Sequence, residues 1–179
     1  MNESFVNDET TLVSFDEGIE KVEKIIDQDS FKIYVEGLRK SSRSFFLSRL
    51  IQSVSKPVVV LTPNQNTGEK LIGDLRYFCK FNRVQKNIRF FPSWEVVPYE
   101  NISPSPEVMG ERLEILQLLQ RNEISLLVVP VDSIMQCVIP RKELSDHTFF
   151  LGIGENLERE FLETCLLDNG FVRLPMVEN

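Results

Sequence analysis

Gly37-Leu38-Arg39-Lys40-Ser41-Ser42-Arg43-Ser44 is the stretch whose residue types and spacing come nearest to chemistry. A phosphate-binding loop of the pattern G-x-x-x-x-G-K-[ST] uses its glycines to turn backbone N–H groups onto phosphates, its Lys to reach the terminal phosphates and its hydroxyl to hold Mg²⁺. Gly37 and Ser44 match; Ser42 replaces the second Gly and Arg43 replaces the Lys. A Cβ at Ser42 restricts positive-φ geometry, and the planar fork of Arg43 is a poor substitute for a compact ammonium. Three readings follow: a strand-to-helix turn with a Ser cap, an inactive relic of a nucleotide site, or a working site in which Arg43 does the work of Lys. Arg39 and Lys40, beside a helix N-terminus, are candidate anion contacts or a plain solvated basic turn.

The other candidates for chemistry are weaker. Glu95, Glu100, Glu107 and Glu111 cluster in sequence, but Glu107 and Glu111 fit the start of a helix, where the dipole favours acids. Asp132 follows an apolar run with no second acid beside it, and reads as the cap of a short helix. His147 has no nucleophile at a triad spacing. Cys79, Cys137 and Cys165 are odd in number and scattered, so neither a disulfide framework nor a zinc site is expected. No catalytic residue, metal or cofactor is therefore expected.

The loop needs a strand before it and a helix after it. Phe31 to Gly37 alternates like a strand, and Ser42 to Ser53 has helical spacing through Phe45, Phe46, Leu50 and Ile51. An earlier helix is expected over 14–28, with Ser14 as N-cap. Pro57 to Thr62 is a continuous β-branched run, as in a strand covered on both faces. A helix over 65–79, a short strand over 87–91, a helix over 107–121, a buried strand over 124–131 and a short helix over 133–138 follow in turn. Such alternation predicts a parallel doubly wound α/β sheet with binding sites at its strand carboxyl ends. After Pro140 the charged run Arg141-Lys142-Glu143 opens a second segment, with a helix over 157–168 stopped by Asn169-Gly170 and a strand over 171–177.

The chain has 179 residues, a 42% hydrophobic content suited to a real core, and a net charge of −7. That charge argues against a whole surface built for nucleic acid, since phosphate neutralisation supplies most non-specific affinity. No apolar run approaches the length of a membrane span, and the polar, acidic start lacks a signal core, so a cytoplasmic protein is expected.

Between the expected strand at 87–91 and the helix at 107 lies Phe91-Pro92-Ser93-Trp94-Glu95-Val96-Val97-Pro98-Tyr99-Glu100, running on through Ser103-Pro104-Ser105-Pro106 to Gly110-Glu111-Arg112-Leu113. This segment resembles the "F-P-x-W-E-x-x-P-Y-x-x-x-S-P … E-R-L" pattern of the N-terminal region of bacterial transcription-repair coupling factor, Mfd. Trp94, Glu95, Pro98, Tyr99, Glu111 and Arg112 carry the resemblance, with a structural role expected for Trp94 and Tyr99. Val129 to Gln136 and Leu167-Asp168-Asn169-Gly170-Phe171-Val172-Arg173 are similar to further family segments. Together they cover roughly residues 30–179.

The resemblance implies a UvrB-like fold with a degenerate nucleotide loop of the P-loop NTPase and helicase type. It divides the chain into an N-terminal segment (1–29), a UvrB-like domain 1a (30–140) and the beginning of a small second α/β domain (141–179). It further implies a non-catalytic role in transcription-coupled nucleotide excision repair. UvrA would be the partner, with Arg173 and, less directly, Arg159 as contacts. RNA polymerase and DNA would be met by other parts of a complete coupling factor, whose ATP-dependent translocase is not in this chain. The alternative is a nucleotide-dependent, helicase-like or UvrB-like enzyme domain; a third reading, an unrelated α/β domain binding DNA directly, fits the acidic balance poorly.

Overall fold

A computed structural model describes residues 14–26, 32–94, 103–154 and 156–174. Its elements are α1 (Phe15–Ile26), α2 (Ser42–Ser53), β1 (Val58–Thr62), α3 (Gln65–Phe81), β2 (Ile88–Phe90), α4 (Pro106–Gln120), β3 (Leu126–Pro130), α5 (Val131–Ile134), α6 (Arg141–Asp146) and α7 (Arg159–Asp168). The chain divides into two compact units, 1–137 and 138–179. The second holds α6 and α7.

Local signals account for most boundaries. Ser14 and Glu17 cap α1 reciprocally, the Glu17 amide donating to Ser14 Oγ at 3.3 Å and the Ser14 amide to Glu17 Oε2 at 3.0 Å. Asn64 Oδ1 accepts from the Thr67 amide at 2.9 Å, and Ser105 Oγ from the Val108 amide with Pro106 opening α4. At the other end, α3, α4 and α7 all stop in the same way. Arg83 (φ 55°), Asn122 (φ 56°) and Gly170 (φ 83°) turn left-handed. The following amides of Val84, Glu123 and Phe171 reach back to the carbonyls of Cys79, Leu118 and Leu166 at 2.8, 2.9 and 3.0 Å.

The sheet is a three-stranded parallel one in the order β1-β3-β2, with Val58 opposite Leu126 and Ile88 opposite the same Leu126. Parallel pairing demands crossovers, and α3 and α4 supply them. The sheet face lined by Leu126, Val128 and Phe90 packs on Ile51 of α2 and on Ile72, Leu75 and Cys79 of α3. The opposite face, Leu127 and Val129, packs with Phe91, Ile115 of α4 and Ile124. A third cluster joins Ile19 and Val22 of α1 to Phe46 and Leu50 of α2. The architecture is thus α/β, with a small parallel sheet flanked by helices.

Four expectations are corrected. Residues 32–37 form no strand, and Tyr34 stands 87% exposed. Alternation made this segment a candidate, but a strand exists only when a neighbour takes its hydrogen bonds, and no described residue does. β1 is covered on one face only: Val59 is 55% and Leu61 58% exposed, because α4 packs over β3 and β2 and leaves the sheet edge open. The short helix starts at Val131, so Asp132 lies within its first turn and caps nothing. Residues 171–174 form no strand either.

Candidate functional site

In the first unit, the loop before α2 is where a nucleotide would have to sit. Gly37 adopts φ 81° and Lys40 φ 49°, so the backbone does turn sharply twice before the helix. Three of the loop's N–H groups, those of Arg39, Ser42 and Arg43, are nevertheless consumed internally. Ser42 Oγ accepts from the Arg39 amide at 2.7 Å and lies 2.7 Å from the Arg39 carbonyl, to which it donates. The Ser42 amide donates to Arg39 O at 3.0 Å and the Arg43 amide to Lys40 O at 3.3 Å. Arg43 folds back, its Nε donating to Leu38 O at 3.3 Å. The residue in place of the second glycine thus plugs the cradle with its own hydroxyl, and the residue in place of the lysine is tied to the loop's backbone. Ser44 differs: it is buried on the inner side of α2, and its Oγ has no hydrogen-bond partner. The residues present do not fit a nucleotide triphosphate in the geometry of a working loop.

The carboxyl ends of the three strands form the second candidate, where open parallel sheets usually bind ligands. Here the chain's own side chains close that end. Beyond β1, Gln65 Oε1 accepts from the Ser93 amide at 3.2 Å and from the Ser93 hydroxyl. Beyond β3, Ser133 Oγ donates to the Phe91 carbonyl at 3.0 Å. Arg112 enters from α4, only 4% exposed. Its Nη1 donates to Pro92 O at 2.5 Å and to Gln136 Oε1 at 3.0 Å. Gln136 Oε1 also accepts from the Trp94 amide at 2.9 Å. The guanidinium lies 4.2 Å from the centre of the Phe91 ring and 5.3 Å from that of Trp94, within cation–π range. Burial lowers the Arg112 pKa from its ordinary value, and Nη2 has no hydrogen-bond partner.

This arrangement locks the Phe91–Trp94 turn onto α4 and α5. Among the described residues its hydroxyls, those of Ser93 and Ser133, are bonded to Gln65 and to the Phe91 carbonyl, and no His, Asp or Glu hydrogen-bonds to either. Gln65, Ser93, Ser133 and Gln136 had no individual role in the sequence; Ser93, Ser133 and Gln136 lie inside the family-like segments, whereas Gln65 carried no signal at all. Glu95, Pro98, Tyr99 and Glu100 lie outside the described residues. Glu111 is exposed on α4.

In the second unit, Glu163 of α7 gathers both arginines singled out from the sequence. Its Oε1 accepts from Arg159 Nε at 2.7 Å and its Oε2 from Arg173 Nη1 at 3.2 Å. The hydrogen bond from Arg159 and the charge of Arg173 hold the Glu163 pKa below the usual carboxylate value. His147 ends α6 with Nδ1 2.9 Å from the Glu143 carbonyl. Among the described residues no group of His, Cys, Asp or Glu is placed to hold a metal ion, and no helix is long and apolar enough to cross a membrane. A recess lined by Lys56, Pro57, Lys86 and Ser125 lies at the amino ends of the strands and brings no catalytic groups together.

No family model matches the chain. Curated relatives do. It is 26% identical over 165 residues, 86% of its length, to the transcription-repair-coupling factor of Bacillus subtilis. To that of Escherichia coli it is 28% identical over 121 residues, and to that of Myxococcus xanthus 25% over 151. The chain spans only 14%, 10% and 13% of the lengths of these three relatives. It is therefore homologous, at low identity and over part of its length, to the bacterial transcription-repair-coupling factors.

Proposed function

We propose that this chain is a non-catalytic, UvrB-like module of a transcription-repair coupling factor that helps bring UvrA to a stalled polymerase in transcription-coupled nucleotide excision repair. The observation that carries the reading is the homology, 26% identity over 86% of the chain to a coupling factor. The self-satisfied loop supports its non-catalytic half, since Ser42 and Arg43 spend on the backbone the groups a phosphate would need. In this reading residues 30–140 correspond to a decayed P-loop domain and 141–179 to the start of the small domain that meets UvrA. RNA polymerase and DNA are met by other regions of such a factor.

Arg173 and Arg159 are the proposed UvrA contacts. Both are mostly exposed and both are held by Glu163, which presents them as one positively charged site. Titrating the 179-residue chain onto immobilised UvrA tests the proposal. Saturable binding that weakens at least tenfold in Arg173→Ala is expected; absence of binding, or indifference to Arg173→Ala, overturns the assignment of this surface.

A working nucleotide site is the second reading, and the buried Ser44 hydroxyl without a partner is the observation in its favour. Titration with a fluorescent ATP analogue separates the two. Micromolar, Mg²⁺-dependent binding lost in Arg43→Ala would replace the non-catalytic reading.

A further inference from the structure

The outer face of α3 carries a feature that neither the core nor the loop accounts for. Tyr77 is 64% and Phe81 70% exposed, one turn apart, with ring centres 6.4 Å apart and planes only 14° from parallel. Gly73, one turn before Tyr77, has open space where a side chain would stand, which leaves the approach to the rings clear. The rings are backed by packed aromatics: Tyr77 meets Phe78 edge-on at 5.4 Å, Phe78 meets Phe45 at 5.3 Å, and Phe45 meets Phe15 at 5.1 Å. Tyr77 is braced by this ladder and Phe81 stacks on Tyr77, which lowers the conformational entropy the two rings have left to lose on binding.

Their electrostatic setting is the opposite of the chain's. The protein carries a net charge of −7, yet from Leu75 to Arg89 the charged residues are Arg76, Lys80, Arg83, Lys86 and Arg89, with no acid among them. Arg89 has a partner in Glu114 at 3.7 Å. Arg76, Lys80 and Arg83 are exposed, and none makes an ion pair among the described residues. Of the acids of α3, Glu69 lies in its first half, where Gln65 Nε2 donates to it at 3.0 Å, and Asp74 stands just before the basic run, three residues from Tyr77, as the one carboxylate of α3 beside the rings. Fixed aromatics interleaved with unpaired cations suit a ligand that has both flat π-faces and a regular line of negative charge. A single strand of nucleic acid has both; a duplex hides its base faces.

We infer that the Tyr77–Phe81 face of α3 binds single-stranded nucleic acid, bases stacking on the two rings and phosphates meeting Arg76, Lys80 and Arg83. The inference is independent of UvrA recruitment, which was placed on the other unit. Affinity is modest, in the non-specific range of roughly 1–100 µM at low salt, because the net negative charge opposes the approach of a polyanion.

Fluorescence anisotropy of the 179-residue chain with a labelled oligothymidylate of about 20 nucleotides tests this. Expected are saturable binding, a slope of log affinity against log salt near −2 for three neutralised phosphates, and a loss of about fivefold or more in each of Tyr77→Ala and Phe81→Ala. Both side chains are exposed, so circular dichroism should be unchanged; Arg76→Glu with Lys80→Glu gives an independent loss that spares the rings. Failure to saturate below about 1 mM at low salt overturns the inference. So does affinity that is insensitive to the ring substitutions, equal for the matching duplex, or equal for an acidic peptide of similar charge, which would make the face a protein-docking surface.

Discussion

Arg112 Nη1 donates to the carbonyl of Pro92 at 2.5 Å, joining the middle of α4 to the turn that leaves β2, 20 residues earlier in the chain. The same nitrogen reaches Gln136 beyond β3, so one side chain ties together the carboxyl ends of two neighbouring strands. No described acid neutralises it, and its environment is the faces of Phe91 and Trp94.

Arg112→Ala should cost about 2–4 kcal/mol, combining lost hydrogen bonds from a charged donor with lost packing between two rings. Arg112→Met should cost less, about 1–2 kcal/mol, since it keeps the apolar fill and removes an incompletely compensated charge. Urea denaturation of the three proteins measures both, and equal losses for Ala and Met would contradict this account of the packing.

Restoring the loop pattern should not restore nucleotide binding. Ser42→Gly with Arg43→Lys recreates G-x-x-x-x-G-K-S, but residues 32–37 have no place in the sheet, so the loop is not anchored at a strand end. Calorimetric titration with Mg²⁺-ATP should detect no binding up to millimolar concentrations. Ser42→Ala alone should lower stability by about 1 kcal/mol through loss of the hydroxyl's hydrogen bonds to the Arg39 backbone.

Gly68 faces the sheet, where an added Cβ would stand 2.6 Å from Phe90 Cε2 and 3.0 Å from Thr62 Oγ1. Gly68→Ala gains about 1 kcal/mol of helix propensity but forces the Phe90 ring to move, at a cost of about 1–3 kcal/mol for overpacking. The clash should win by about 1 kcal/mol. Gly73→Ala, on the open side of the same helix, should stabilise instead; thermal melts of the pair give the sign of each.

Glu163 should titrate below the usual carboxylate value, chiefly through its hydrogen bond from Arg159 and then the charge of Arg173. A depressed folded-state pKa contributes stability that is present above the unfolded value and lost as pH falls through the folded one. The arginine pair is therefore held at neutral pH and released only in acid, below about pH 4.5. In Arg159→Ala the Glu163 pKa should move back up, and less so in Arg173→Ala, as followed by carboxyl NMR shifts.

The open edge of β1, with Val59 and Leu61 exposed beside backbone groups that no described strand pairs, should make the chain associate as its concentration rises. Leu61→Lys should suppress this in sedimentation velocity while changing stability by no more than about 0.5 kcal/mol.

The amino-acid sequence by itself determined the start of α1, the stop of α7 and which apolar runs become β1, β2 and β3, whereas α6 carried no signal and α5 begins two residues earlier than expected. Ser14 with Glu17, Ser105-Pro106 and Asn169-Gly170 act within a few residues of themselves, and the all-apolar Leu126–Pro130 is suited to burial on both faces. The motif around Trp94 and Arg112 likewise pointed to the relatives that the comparisons found. Tertiary structure alone decided that Phe31–Gly37 yields no strand over its described residues, that β1 is an edge, and that Gln65, Ser93, Ser133 and Gln136 close the strand ends around the turn held by Arg112. Alternation records only that a segment would suit a sheet. Membership of a sheet depends on a neighbour's hydrogen bonds, and a polar network on residues brought together from distant turns, neither of which is written in a local pattern.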